Sequence, residues 1–280
     1  MIRSSSRPLL PLRSAAVYAL AGALLAACSP EPAGPTANDS VRATPTPPPL
    51  AQRLPAPRPA LSRAQLIESA RVAASAFAAG EQTPAGTSLV GRSFAVRLPF
   101  GCAGAQATDT AAGTEGLASW SWGEDRRTIT LRLTPADWTG SSIFAEAEAV
   151  EGFWLARPWL ATESCPRVAV DPLQSGDAPA SAQTVGLAAV FAKGGSRLGR
   201  RNGRAYTFTL RAEEDRPLEP ARDGYRLLLE GRVGSYPDGR AIACRAAGPD
   251  QRPVCVAAVE LDRVAFEGAD GAVLSEWRPG

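Results

Sequence analysis

The sequence predicts a mainly β protein: antiparallel sandwich or barrel units with one N-terminal helix, preceded by a disordered tether. Three observations predict it. From Leu89 onward, apolar residues recur at every second position in short runs set apart by Gly, Pro and Asp turns. Only Ser62–Ala79 carries a helical apolar period. Ten prolines fall between Ser29 and Ala60, and such sequence cannot bury enough apolar surface to fold.

The chain opens with a basic, acid-free leader containing Arg3, Arg7 and Arg13. Ala15 to Leu25 is then continuously apolar. That run is too short to span a bilayer, which takes about 20 apolar residues. It has the form of a secretory signal. The run ends in Leu25-Ala26-Ala27-Cys28. This tetrapeptide resembles the lipobox of bacterial lipoproteins, and the resemblance covers residues 1–28 alone. It implies removal of the signal peptide 1–27, a diacylglycerol and palmitate on Cys28, and a periplasm-facing place in the cell envelope. Ser29 follows where an Asp would favour the inner membrane, so the resemblance favours the outer membrane. Two or three acyl chains make such anchoring stable.

Residues 28–61 then read as the tether. Proline drives it toward polyproline II, so it can reach on the order of 90 Å when extended. The expectation is a spacer that lifts the folded part off the bilayer.

Residues 62–80 read as one helix with defined ends. Ser62 is an N-cap and Gln65 completes a capping box. Leu61 and Leu66 make a hydrophobic staple, and Leu66, Ala70, Ala73 and Phe77 form one apolar stripe. Gly80 ends the helix. The stripe is expected to pack on the β-rich part.

Two β units are expected, 88–172 and 184–280, divided by the Pro-, Gly- and Ser-rich stretch Asp171–Gln183. In the first, Phe94, Val96 and Leu98 alternate with polar or small residues, and so do Trp120 and Trp122. Thr128–Leu133 is a half-buried strand, joined to the Trp120 strand by a turn at Gly123–Arg126. In the second, strands are expected at Val185–Phe191, Ala205–Arg211, Tyr225–Val233, Arg240–Arg245, Val254–Phe266 and Val273–Trp277.

With Cys28 lipidated, four cysteines remain for disulfides in an oxidising compartment. They allow three pairings. Cys244 and Cys255 lie equidistant from the Gly248-Pro249 turn, so a hairpin would set them face to face. That leaves Cys102 with Cys165.

Composition excludes several functions. The chain has no histidine, which removes Ser-His-Asp and Cys-His catalysis and His-ligated metals. Lys193 is the only lysine and has no supporting motif for Schiff-base chemistry. Loss of the leader's three arginines takes the formal charge from +2 to −1, so the basic precursor does not point to nucleic acid. No cofactor and no metal are expected.

Three candidate sites stand out. Trp120 and Trp122 share one strand face and read as core. Trp154 and Trp159 read as partly exposed candidates for stacking on a glycan. The stretch Lys193–Arg204 carries Arg197, Arg200, Arg201 and Arg204 and no acid. It reads as a solvated hairpin loop between Val185–Phe191 and Ala205–Arg211, with contact to an anionic polymer or lipid head group as the functional alternative. Glu213-Glu214-Asp215 lies nearby to neutralise it. Glu146, Glu148, Glu151 and Glu163 supply carboxylates, but no spacing selects a glycosidase pair. Glu146 and Glu148 read as the exposed side of a short element.

The expected function is therefore that of a non-catalytic envelope lipoprotein. It would be an accessory or binding component that contacts membrane through its lipid anchor and contacts glycan such as peptidoglycan, lipid or another envelope protein through its folded part. The alternatives are a His-free hydrolase of cell-wall glycan and a structural subunit of an envelope assembly.

Overall fold

The computed structural model describes residues 57–81, 88–106, 115–156, 158–167, 183–213 and 217–279. Cys28 and its leader, most of the expected tether, and all but the last residue of Asp171–Gln183 lie outside them. The described residues belong to one unit within Pro55–Gly280.

Local chemistry sets the first element. Ser62 caps α1, Arg63–Ala78. The Ser62 hydroxyl accepts from the Gln65 N–H, and Gln65 Oε1 accepts from the Ser62 N–H at 2.9 Å, so the expected capping box closes. Leu61 and Leu66, the staple, are both buried. At the other end Gly80 adopts φ 71°, where a side chain would be strained. The N–H of Gly80 donates to Phe77 and that of Glu81 to Ala76, which completes a Schellman stop. The buried face is Arg63, Leu66, Ile67, Ala70 and Ala73. Phe77, expected in the stripe, is 41% exposed. Buried Arg63 donates from Nε to the Leu160 carbonyl at 3.0 Å and from Nη2 to that of Ala156. Among the described residues no helix is long and apolar enough to cross a membrane.

The strands follow in chain order. They are β1 (Ser93–Phe100), β2 (Ala118–Trp122), β3 (Thr128–Leu133), β4 (Ala136–Asp137), β5 (Ala147–Trp154) and β6 (Val185–Ala192). Then come β7 (Tyr206–Arg211), β8 (Tyr225–Val233), β9 (Ile242–Arg245), β10 (Val254–Glu267) and β11 (Val273–Trp277). A 3-10 turn, Ser142–Phe144, precedes β5.

Strands β2, β3 and β7 form a three-stranded antiparallel sheet, with β2 and β3 joined as the expected hairpin. The other eight form one sheet in the order β1-β8-β10-β6-β5-β4, with β9 and β11 also on β10. One hydrophobic core is shared by α1 and both sheets, from Phe94 and Leu229 to Ile129 and Leu131. This is the mainly β sandwich expected, with its single helix.

Two corrections concern topology. Residues 88–172 and 184–280 do not form separate β units: β1 pairs with β8, β5 with β6 and β3 with β7, so both sheets draw strands from both segments. The large sheet is also not purely antiparallel. β6 runs parallel to the first half of β10, from Val185 opposite Cys255 to Ala189 opposite Val259. A parallel pair needs a long crossover, and the chain supplies one through β7, β8 and β9.

Strand β10 is the spine. Its first half pairs with β9 and β6, its second with β8 and β11. The register slips between Leu261 and Arg263, where a bulge bends the strand. Gly231 of β8 lies beneath that bend, and a Cβ there would sit 2.0 Å from the Glu260 carbonyl oxygen.

Both expected disulfides are present. Cys244 and Cys255 are direct cross-strand partners between β9 and β10. Cys102–Cys165 joins residues 63 apart in sequence. It ties the end of β1 to the segment after β5.

Candidate functional site

The site grows from β5. Its burial is nearly continuous because both faces of this part of the sheet are covered. Two carboxylates on β5, Glu148 and Glu151, face the chain that leaves β6. That chain, residues 193–205, is no hairpin loop. β6 and β7 lie in different sheets, so it is the crossover between them.

The crossover is a run of tight turns: Gly195 donates to Ala192, Arg200 to Arg197, and Arg204 to Arg201. Asn202 and Gly203 hold φ 54° and 76°, the left-handed region that Asn and Gly tolerate best. This places two successive N–H groups, those of Arg201 and Asn202, on Glu151 Oε1 at 2.7 and 2.8 Å. Glu151 is 7% exposed. Burial pushes its carboxyl up from its ordinary value, and the two N–H donors oppose the shift.

Glu148 holds the same segment from its side chains. It accepts from Arg197 Nη2 at 2.8 Å and from Arg200 Nη1 at 2.9 Å. Those two guanidiniums, Arg197 first, hold its carboxyl below the usual range. Among the described residues the acids that neutralise the crossover are Glu148 and Glu151, about fifty residues away, and not Glu213 of the expected Glu213-Glu214-Asp215 cluster. Glu213 is exposed, and Glu214 and Asp215 lie outside the described residues. Glu148 is engaged in ion pairs, whereas Glu146 is exposed as expected.

The arginines divide by what they touch. Arg201 lies over the Tyr206 ring at 4.5 Å and donates to the Arg204 and Ala205 carbonyls. Burial raises the Tyr206 hydroxyl to about 12, so it stays a neutral wall. Arg204 donates to the Arg201 carbonyl and points to solvent. Arg200 and Arg201 line a small pocket of about 150 Å³ together with Arg263, Arg278, Tyr206 and Trp277. Arg197 and Arg204 lie outside it. Arg263 and Arg278 arrive from β10 and from just beyond β11, and no local pattern in the sequence connects them to the crossover.

Asp137 of β4 stands directly across from Glu151 of β5, and both line a cavity of about 340 Å³. Asp137 Oδ1 accepts from the Thr139 N–H at 2.9 Å. The Thr139 hydroxyl and N–H hold its carboxyl below its ordinary value. Among the described residues no group of three or more Cys, Asp and Glu is arranged to hold a metal ion.

The tryptophans are mostly packing residues. Trp120 is buried and meets Trp122 edge-on at 5.7 Å, as the shared strand face predicts. Trp154 is half-buried and meets Trp138 edge-on at 4.7 Å. Trp138 in turn covers Gly152, where a Cβ would lie 2.3 Å from its ring. Trp159 is 47% exposed and has no ring partner among the described residues. Of the two candidates, Trp154 is thus largely a packing residue and Trp159 is the one that presents its side chain to solvent. A broad groove of about 820 Å³, floored by Phe144, Val190, Tyr236 and Ala243, opens on the outer side of β6 and β9.

No protein-family model, no curated protein and no solved structure matches the chain, so its functional reading rests on these residues and their geometry.

Proposed function

We propose that the chain is an exported lipoprotein, anchored through Cys28 in the cell envelope, the outer membrane being favoured over the inner. Its folded part binds and does not catalyse. It acts as an accessory component that contacts glycan, lipid or another envelope protein. The lipobox resemblance supports the anchor. One observation carries the binding reading: the arginine crossover is braced by Glu148 and Glu151 into a fixed cationic surface. A pre-organised surface binds without first paying to order its side chains.

The test uses the exported chain from residue 28 with Cys28→Ser, disulfides formed, sedimented with purified peptidoglycan and with anionic vesicles. Association that weakens as salt rises supports the reading. Failure to associate with either at physiological salt overturns the glycan and lipid arms and leaves an envelope protein as the partner. For the anchor, labelled palmitate incorporated by the full chain and lost in Cys28→Ala is the expected result.

Asp137 and Glu151 favour a second reading, hydrolysis of wall glycan by paired carboxylates. They face one another in one cavity, and their environments push them in opposite directions. The reading is subordinate because Glu151 Oε1 already accepts two backbone N–H groups. Release of soluble sugar from peptidoglycan, abolished by Asp137→Asn and by Glu151→Gln, would reverse that order.

A further inference from the structure

The cationic surface has one place where it becomes concave. Arg200 and Arg201 from the crossover, Arg263 from β10 and Arg278 from beyond β11 line the 150 Å³ pocket, and among the described residues no Asp or Glu lines it. Tyr206 and Trp277, edge-on to each other at 5.2 Å, form an aromatic wall.

Among the described residues, each arginine is held by one part of its guanidinium and keeps another without a partner. Arg263 gives Nε to Glu276 at 2.7 Å and Nη1 to Glu230 at 3.2 Å, which leaves Nη2 without a protein partner among the described residues. Arg201 gives Nε and Nη2 to backbone carbonyls and keeps Nη1. Arg200 gives Nη1 to Glu148, and Arg278 gives Nε to Glu276. Carboxylates thus hold Arg200, Arg263 and Arg278, and backbone carbonyls hold Arg201, at the pocket. Four arginines, Arg197, Arg200, Arg263 and Arg278, share three carboxylates, Glu148, Glu230 and Glu276, while the Arg201 guanidinium is held by carbonyls; with Glu151 counted, five arginines face four carboxylates among the described residues.

The size and donor set define the ligand. Pockets for drug-sized molecules run to about 300–1,000 Å³, so this one takes a single compact group. A planar carboxylate is satisfied by one or two arginine forks. Four guanidiniums from three chain segments match an oxyanion that offers acceptors in several directions. Arginine is suited to phosphate because its planar fork matches that geometry and never loses its charge.

We infer that Arg200, Arg201, Arg263 and Arg278 form a binding pocket for one phosphate group, carried on a soluble phosphate compound or on a lipid headgroup. The inference rests on the binding reading above and names the chemistry that surface takes. Loop and strand supply separate halves of the pocket, so the crossover must be docked on β5 for the site to exist.

The test titrates inorganic phosphate into the exported chain from residue 28 carrying Cys28→Ser, followed by calorimetry. Phosphatidylglycerol and phosphatidylcholine vesicles are then used in sedimentation. The expected result is one saturable phosphate site, weakened about tenfold or more in Arg200→Ala/Arg278→Ala. Arg132→Ala, a change to an exposed arginine on β3, should leave it unaltered. Recruitment to phosphatidylglycerol alone, lost in the double variant, assigns the lipid source. Phosphate binding without vesicle recruitment assigns a soluble phosphate compound. The inference fails if phosphate shows no saturable site, or if the double variant binds it as tightly as the parent. Association with peptidoglycan or anionic vesicles in a chain that shows no saturable phosphate site would overturn the pocket while leaving the broader binding reading intact. Circular dichroism on the double variant guards against misfolding, and Arg263→Lys, which keeps charge but loses the fork, gives an independent reading. It should bind phosphate several-fold more weakly.

Discussion

The two halves of β10 are held in different ways. From Val254 to Val259 every side chain is apolar or a disulfide sulfur. Cys255, Ala257 and Val259 join the main core, while Val256 and Ala258 join a second core with Phe144 and Tyr236 on the opposite face. From the bulge onward, Val264 and Phe266 keep to the core, but the strand now carries Asp262 in the bulge itself and Arg263 and Glu267 after it. Glu267 is buried and accepts from Arg97 Nε at 2.9 Å. A strand covered on both faces is specified by volume. A strand with charges on one face is specified by ion pairs, and there the fold has cationic groups to present to a ligand.

The first way to break the contrast is to unstaple the apolar half. Cys244→Ala/Cys255→Ala opens a loop spanning 11 residues and should cost about 3 kcal/mol in the chain-entropy account. The denaturant midpoint should fall by a similar free energy at neutral and at mildly acidic pH, since no ionised group is removed. A loss that depends strongly on pH would show that charges also govern this half.

A smaller loss is expected from Glu267→Gln. Arg97 is 38% exposed and can turn to water, so the cost should be about 1–2 kcal/mol and not the larger figure for a fully buried pair. High salt should shrink the difference between variant and parent only slightly, because the Glu267 end is dry.

Acid should then separate the halves. Arg278 and Arg263 hold the Glu276 carboxyl below its ordinary value of 4.5. A carboxyl lowered in this way contributes stability above its ordinary value and loses it as pH falls through the lowered one. Amide exchange at Val264–Phe266 should therefore quicken between about pH 5 and 3 relative to exchange at Val256–Ala258. Equal acceleration in both halves would erase the distinction.

The smallest effect belongs to Arg232 and Asp262, a pair 3.6 Å apart with both side chains more than half exposed. Arg232→Ala should change stability by less than about 0.5 kcal/mol in thermal melts. A larger change would mean that the charged half is cooperative as a network.

What could be read from the sequence was local or symmetric. The cap of α1 lies within four residues, and the Cys244–Cys255 bridge follows from its distance to one turn. Strands β1 and β3 betray themselves because one face is wet and the other dry. Strand β5 escaped because it is covered on both faces, so Ala147–Trp154 does not alternate. The parallel β6–β10 pair has no short-range signature. Likewise the arginine run announced itself by composition, but its supports Glu148 and Glu151 and its pocket partners Arg263 and Arg278 come from distant strands. Charge in a sequence marks candidates, while topology decides which of them meet.

The pairing of β1 with β8 sets a folding order. Ser93 lies opposite Arg232, so about 140 residues separate the partners. A chain that emerges N-terminus first presents β1 before its partner strand exists. During that time its row of backbone donors and acceptors is an open template for another chain. The contacts of β1 are of high contact order, which slows folding, whereas α1 can form at once. The Cys102–Cys165 bridge can also close before β8 appears, since both cysteines precede it. A chain of this topology therefore matures from its early segments inward, and the large sheet is completed only when β10 slots between β8 and β6.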